Sequence, residues 1–206
     1  MATRIETYGS LSFYGVIGAR GIDGTRPFGE VLEAPFNFLS LAHGHTGHAF
    51  VHFHLYTQTI REIASEPFES IEIQDIRNDF IGFHPTTTPG IMDVVGGHTR
   101  DDRHYFDIID RGTVSYRSAG GHCATTRSQC DNALSRILFW NGRNRYRVLE
   151  ADCTGFALDV ARQIGLNIPH RSEVNNSLPY QAIHALNVMN PSASRVTTPM
   201  SVETSS

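Results

Sequence analysis

The clearest alternation in the chain runs over Gly47-His-Ala-Phe-Val-His-Phe-His-Leu-Tyr. Ala49, Val51, Phe53 and Leu55 fall on one side of a period-two pattern, and His48, Phe50, His52 and His54 on the other. This predicts a strand with one core face and one polar face. Ile71 to Ile76 alternates in the same way, and Phe80-Ile-Gly-Phe-His-Pro predicts a strand stopped by Pro85, with a turn over Thr86 to Gly90. Between them, Ile60 to Ser65 suits a short helix. Residues 93–104 are polar and glycine-containing, as expected of an exposed loop, and Thr113 to Arg117 predicts a further strand. The period then lengthens. Ala133, Leu134, Ile137 and Leu138 recur at helical spacing within Ser128 to Trp140, and Asn141-Gly142 ends that helix. After an extended approach, Tyr146 to Leu149, a second helix is expected from Cys153, with Asp152 as N-cap and Gly165 as the stop. Its apolar face is Phe156, Ala157, Val160, Ala161 and Ile164. One more short helix is expected near Tyr180 to Leu186. Repeated glycines before residue 40, among short apolar stretches such as Leu11 to Ile17, predict irregular structure and short strands.

With 206 residues, 40% of them hydrophobic, the chain can bury a full core. We read a single domain over 1–190, with 1–40 as a decorated N-terminal part. The fold class is α+β, an antiparallel sheet packed against the helix that begins at Cys153. The last 16 residues hold eight Ser or Thr and almost no large apolar groups, so 191–206 is expected to be a disordered tail. A net charge of -4 with scattered basic residues argues against nucleic acid or an anionic membrane surface as partner. No stretch approaches the roughly 20 apolar residues of a membrane span. The segment Met1 to Tyr8 lacks the apolar core of a signal peptide, so synthesis in the cytoplasm without a classical export signal is the expectation.

A thiol at a helix N-terminus is a nucleophile candidate, because the first-turn amides and the positive end of the helix dipole favour the thiolate form. Cys153 has that position. The plainer alternative is a small buried residue, common for free cysteine. Cysteine hydrolysis also needs an imidazole in hydrogen-bond reach and a polar group to orient it. His48, early on its strand, is the candidate base, and His84, at the end of Ile81-Gly-Phe-His, could hold the other nitrogen of His48 if the two strands are neighbours. The run from His43 to His54 also admits a metal reading. His48, His52 and His54 share a strand face, but no Glu follows at close spacing to complete a site, and no metal or cofactor is assigned. Asp101, Asp102, Asp107 and Asp110 could be paired carboxylates, but loop acids of this kind are usually solvated. Cys123 and Cys130 are either a local disulfide or two free thiols, and their spacing, with His122 alongside, misses the usual zinc pattern.

The order of Gly47-His48-Ala-Phe-Val, Gly82-Phe-His84-Pro and Asp152-Cys153-Thr-Gly-Phe-Ala resembles the circularly permuted branch of the NlpC-type papain-like hydrolases, and within it bacterial type VI secretion effectors that attack peptidoglycan. The resemblance covers roughly residues 45 to 165. It implies a papain-like fold with Cys153 as nucleophile, His48 as general base and His84 as orienting residue. It further implies peptidoglycan peptide as substrate, action in a target-cell periplasm, and an immunity protein and a secretion-apparatus component as partners. One departure is Asp152, where the family often has Asn, since a carboxylate beside the sulfur opposes thiolate formation. The same scaffold also hosts acyltransferases, lipid hydrolases and deamidases. A non-enzymatic binding module, with the histidine strand purely structural, is the remaining alternative.

Overall fold

Long alternating stretches pair into a sheet before any helix is added, and here three such strands make the frame. In the computed structural model, which describes residues 3–16, 47–62, 69–87, 93–110, 117–119, 123–171, 179–191 and 201–205, β1 (Thr3–Val16), β2 (His48–Glu62) and β3 (Glu69–Pro85) are consecutive antiparallel neighbours. The short strands β4 (Gly97–Asp101) and β5 (Arg117–Ala119) flank them, giving the order β4-β3-β2-β1-β5. Two more segments, β6 (Cys123–Ala124) and β7 (Ser201–Ser205), also pair with β1. The fold is mixed α/β, built on an antiparallel sheet.

Four helices complete the described residues: α1 (Arg103–Asp110), α2 (Arg127–Asn141), α3 (Cys153–Gln163) and α4 (Pro179–Met189). Helix α2 begins with a capping box, Thr126 and Gln129 satisfying each other's backbone amides. Helix α3 starts at the expected residue, capped by Asp152, and stops at Gly165, whose φ of +87° suits the left-handed turn that ends helices. Its apolar face packs on β2 and β3, where Phe156, Ala157, Val160 and Ala161 meet Val51, Phe53, Leu11, Phe13 and Phe83 in one buried cluster. A smaller cluster lies among Tyr14, Val16, Phe50 and Phe80, with Tyr105 and Phe106 of α1 against it. The alternation of β2 therefore feeds both clusters, its odd-numbered residues joining the large one and Phe50 the small one.

Several expectations need correction. Thr3–Val16 is one long strand in place of short irregular pieces, and the strands expected at 71–76 and 80–84 are a single strand, Glu69–Pro85. The helix expected from Ile60 is extended through Glu62 as part of β2, with 63–65 outside the described residues. The loop expected at 93–104 contains β4 and the start of α1. Of the strand expected at 113–117 only Arg117 is described, where β5 begins. The tail is not wholly unstructured, because Ser201–Ser205 forms a backbone ladder with Thr3 to Thr7.

Candidate active site

The register of β2 and β3 creates the site. Phe50 pairs with Gly82, so two residues further along the same face His48 and His84 come side by side, with ring centroids 4.4 Å apart. Both imidazoles turn to one carboxylate. Asp102, the residue between β4 and α1, is 0% exposed, and its Oδ2 lies 2.7 Å from His48 Nε2 while its Oδ1 lies 2.8 Å from His84 Nε2. The Asp102 backbone is fixed as well, its amide donating to the Phe80 carbonyl at 2.8 Å and its carbonyl accepting from Tyr105 at 2.9 Å.

Gly82 makes this approach possible. A Cβ there would stand 1.8 Å from Asp102 Oδ2 and 2.6 Å from His48 Nε2, so any other residue would displace the carboxylate. An ionised carboxylate only accepts hydrogen bonds, so both imidazoles present Nε2–H to it. The Tyr105 ring packs 5.1 Å from the His48 ring.

The charges follow from these contacts. Burial pushes the Asp102 carboxyl up, but the bonds from His48 and His84 outweigh burial and hold it well below the usual carboxylate range. For His48, burial alone would lower the pKa; hydrogen bonds to Asp102 and to the Cys153 thiol, with the charges of both, raise it to about 9. His84 goes the other way. Burial dominates there, aided by the neighbouring positive charge of His48, and the pKa falls to about 4 despite the bond to Asp102. Near neutrality His84 is thus an uncharged donor and His48 a protonated imidazole.

Cys153 opens α3 and is buried. It lies close enough to His48 and to the hydroxyl of the buried Tyr146 to shift the pKa of both groups. Burial, reinforced by Cys153 and Asp152, raises the pKa of that hydroxyl, so it keeps its proton. Leu149 supports the turn between Tyr146 and Cys153 with a φ of 67°, a strained value for a non-glycine residue.

The carboxylate of Asp152, the departure noted in the sequence, is fully occupied. It accepts from the amides of Leu149 and Gly155 at 2.8 Å each, and from two nitrogens of Arg171, also at 2.8 Å each. A two-point guanidinium bond of this kind compensates the charge next to Cys153 and fixes the first turn of α3.

The structure therefore gathers Cys153, His48 and His84, but not in the expected sequence of contacts. His84 bonds Asp102, and it is Asp102 that bonds His48; the acid read as solvated is completely buried. The other strand histidines stay apart from this cluster. His52 bonds Asn78 at 2.9 Å, and His54 bonds Asp75 at 2.7 Å on the exposed surface. His43, His45 and His122 lie outside the described residues, as do the side chains of Asp107, Asp110 and Cys123. Cys130 carries a buried free thiol, so the possible bridge to Cys123 is not formed. From sequence Asp102 is weighed as a carboxylate candidate and set aside as a solvated loop acid, Tyr146 and Arg171 are not singled out, and Gly82, a glycine inside a strand, is the local signal of the close approach. No family model matches this chain, and no curated protein or solved structure is detectably similar to it.

Proposed function

We propose that this chain is a cysteine hydrolase of amide bonds on a permuted papain-like fold. Cys153 is the nucleophile, His48 moves the proton, and Asp102, held by His84, orients His48. The observation that carries this reading is the position of His48, bonded on Nε2 to a fully buried carboxylate and close enough to the cysteine that opens α3 for that residue to raise its pKa.

With Nε2 held by Asp102, Nδ1 is the nitrogen that carries the proton taken from the Cys153 thiol, so the imidazole is already protonated when the sulfur attacks. The sulfur then attacks the carbonyl carbon, and the Cys153 amide at the start of α3 and the Tyr146 hydroxyl are the donors we assign to the developing oxyanion. Collapse breaks the C–N bond as His48 gives its proton to the leaving amine, leaving a thioester on Cys153. Water, deprotonated by His48, attacks that thioester and restores the thiol. A histidine held protonated near neutrality is well matched to the amine-expulsion step.

The substrate we assign is the peptide part of bacterial cell wall, met in a target-cell periplasm, with an immunity protein as the natural counterpart. This assignment rests on the motif order of His48, His84 and Cys153. Its test is direct. Exported to the periplasm of a Gram-negative host, the chain should lyse or round the cells, Cys153→Ala should be harmless there, and the purified protein should release peptide fragments from isolated peptidoglycan. Full activity of Cys153→Ala would end the mechanism; toxicity confined to cytoplasmic expression, with no peptidoglycan products, would move the substrate to an intracellular protein.

A further inference from the structure

The ligand atoms of His48, His84 and Asp102 all lie within 4.8 Å of one another, and all three residues are buried. Two imidazoles and a carboxylate are a donor set suited to a first-row transition ion of the zinc type. A tetrahedral zinc ion with bonds of about 2.0–2.2 Å sets its donors roughly 3.3 Å apart. The nitrogen-to-oxygen separations here are 2.7 and 2.8 Å, so the pairs need to open by only about half an ångström to admit the ion. The residues come from β2, β3 and the junction between β4 and α1, elements already packed together, so the donors are held without a ligand.

We propose that His48, His84 and Asp102 form a zinc-type metal site with an open fourth position, and that metal occupancy and thiol catalysis exclude one another. The binding half stands on geometry alone. The exclusion half rests on the reading of His48 as the proton carrier, and follows from its chemistry. A neutral imidazole has one N–H and one lone pair. With the lone pair of Nε2 given to the metal, Nδ1 carries the hydrogen, and no lone pair remains to take a proton from Cys153. The metal also takes the Asp102 oxygens that otherwise orient the ring.

The full chain should bind one Zn2+ in calorimetric titration, and Co2+ should give visible ligand-field bands at the same stoichiometry. Cys153→Ser should retain binding, because the three donors remain. His84→Asn, which can still donate to Asp102 but supplies no imidazole, should weaken binding at least tenfold, and His84→Gln serves the same purpose if the first variant folds poorly. His54→Ala, outside the cluster, should bind as the parent does. Alkylation of Cys153 by iodoacetamide, followed by mass, should slow on adding Zn2+ and recover with EDTA, and His84→Asn should lose that protection. Failure to bind one ion, or unchanged affinity in both His84 variants, overturns the site. Zinc that binds at the cluster but leaves alkylation unchanged, or that accelerates amide cleavage, overturns the exclusion. A chain that binds zinc here yet cleaves no amide bond keeps the metal site and defeats the hydrolase, whereas a zinc-insensitive hydrolase does the reverse.

Discussion

Gly82→Ala tests the geometry of the site with the smallest available change. The added methyl would sit 1.8 Å from Asp102 Oδ2, where ordinary contact begins near 3.4 Å, so the carboxylate must retreat by about 1.6 Å or the strand must shift. Either movement breaks the 2.7 Å bond to His48. Overpacking of this kind costs about 1–3 kcal/mol, which for a chain of this size lowers the melting temperature by roughly 2–4 °C per kcal/mol. The loss in catalysis should be larger, because a misplacement near 1 Å is worth about 100-fold and loss of the orienting carboxylate in a serine triad about 10,000-fold. Gly97→Ala is the control, since its methyl would meet the Phe83 ring at 2.2 Å and strain the core without touching Asp102. Calorimetry, alkylation rate of Cys153 and kcat/KM on peptidoglycan fragments should be measured on both. The two variants should be destabilised alike, but only Gly82→Ala should lose activity beyond its unfolded fraction. A folded Gly82→Ala protein with parental kcat/KM would refute the placement of Asp102 in the site.

Asp102→Asn should fold and lose activity by about 1,000- to 10,000-fold, because an amide offers one acceptor oxygen to two imidazole donors and sets an N–H against the other; parental kcat would exclude the orienting role. Arg171→Ala leaves the Asp152 charge buried beside α3 and should cost about 3–5 kcal/mol in denaturant unfolding, while Arg171→Ala combined with Asp152→Asn should recover a good part of it. A double variant no more stable than the single one would show that the guanidinium acts through packing. Thiol titration in denaturant should count three free thiols per chain, since Cys130 is unpaired, and a count of one would require a bridge.

The helices and the His48 strand were legible because each is written in local periodicity: the apolar face of α3, its Asp152 cap and Gly165 stop, and the alternation from His48 to Leu55. What failed was non-local. The β2 to β3 register shifts between Leu55 and Tyr56, which leaves Ile76 as an extra residue and flips the alternation of β3, so one strand read as two. Strand β7 forms by backbone pairing with β1, which a Ser- and Thr-rich composition does not announce. Asp102 lay hidden in Arg100-Asp-Asp-Arg103, a run that looks solvated until β4 sets its second acid against the space above Gly82. Arg171 finds Asp152 from 19 residues away, a distance no periodicity spans.

The distribution of buried charge favours the proposed catalytic reading over a purely structural one. Buried ion pairs contribute little to stability relative to apolar packing of the same shape, so a fold selected only for stability has small reason to keep them. On the Phe50 face of the sheet, Tyr14, Val16, Phe50 and Phe80 close an apolar cluster, yet the same face ends in two histidines against a carboxylate that is 0% exposed. Asp152 has its charge matched by Arg171, which leaves Asp102 as the carboxylate bonded to His48. His84, uncharged near neutrality, steadies Asp102 by hydrogen bonding without competing for its charge. A neutral donor, a carboxylate and an imidazole of raised pKa thus follow one another toward Cys153, the order that the proposed proton transfer at its thiol would use.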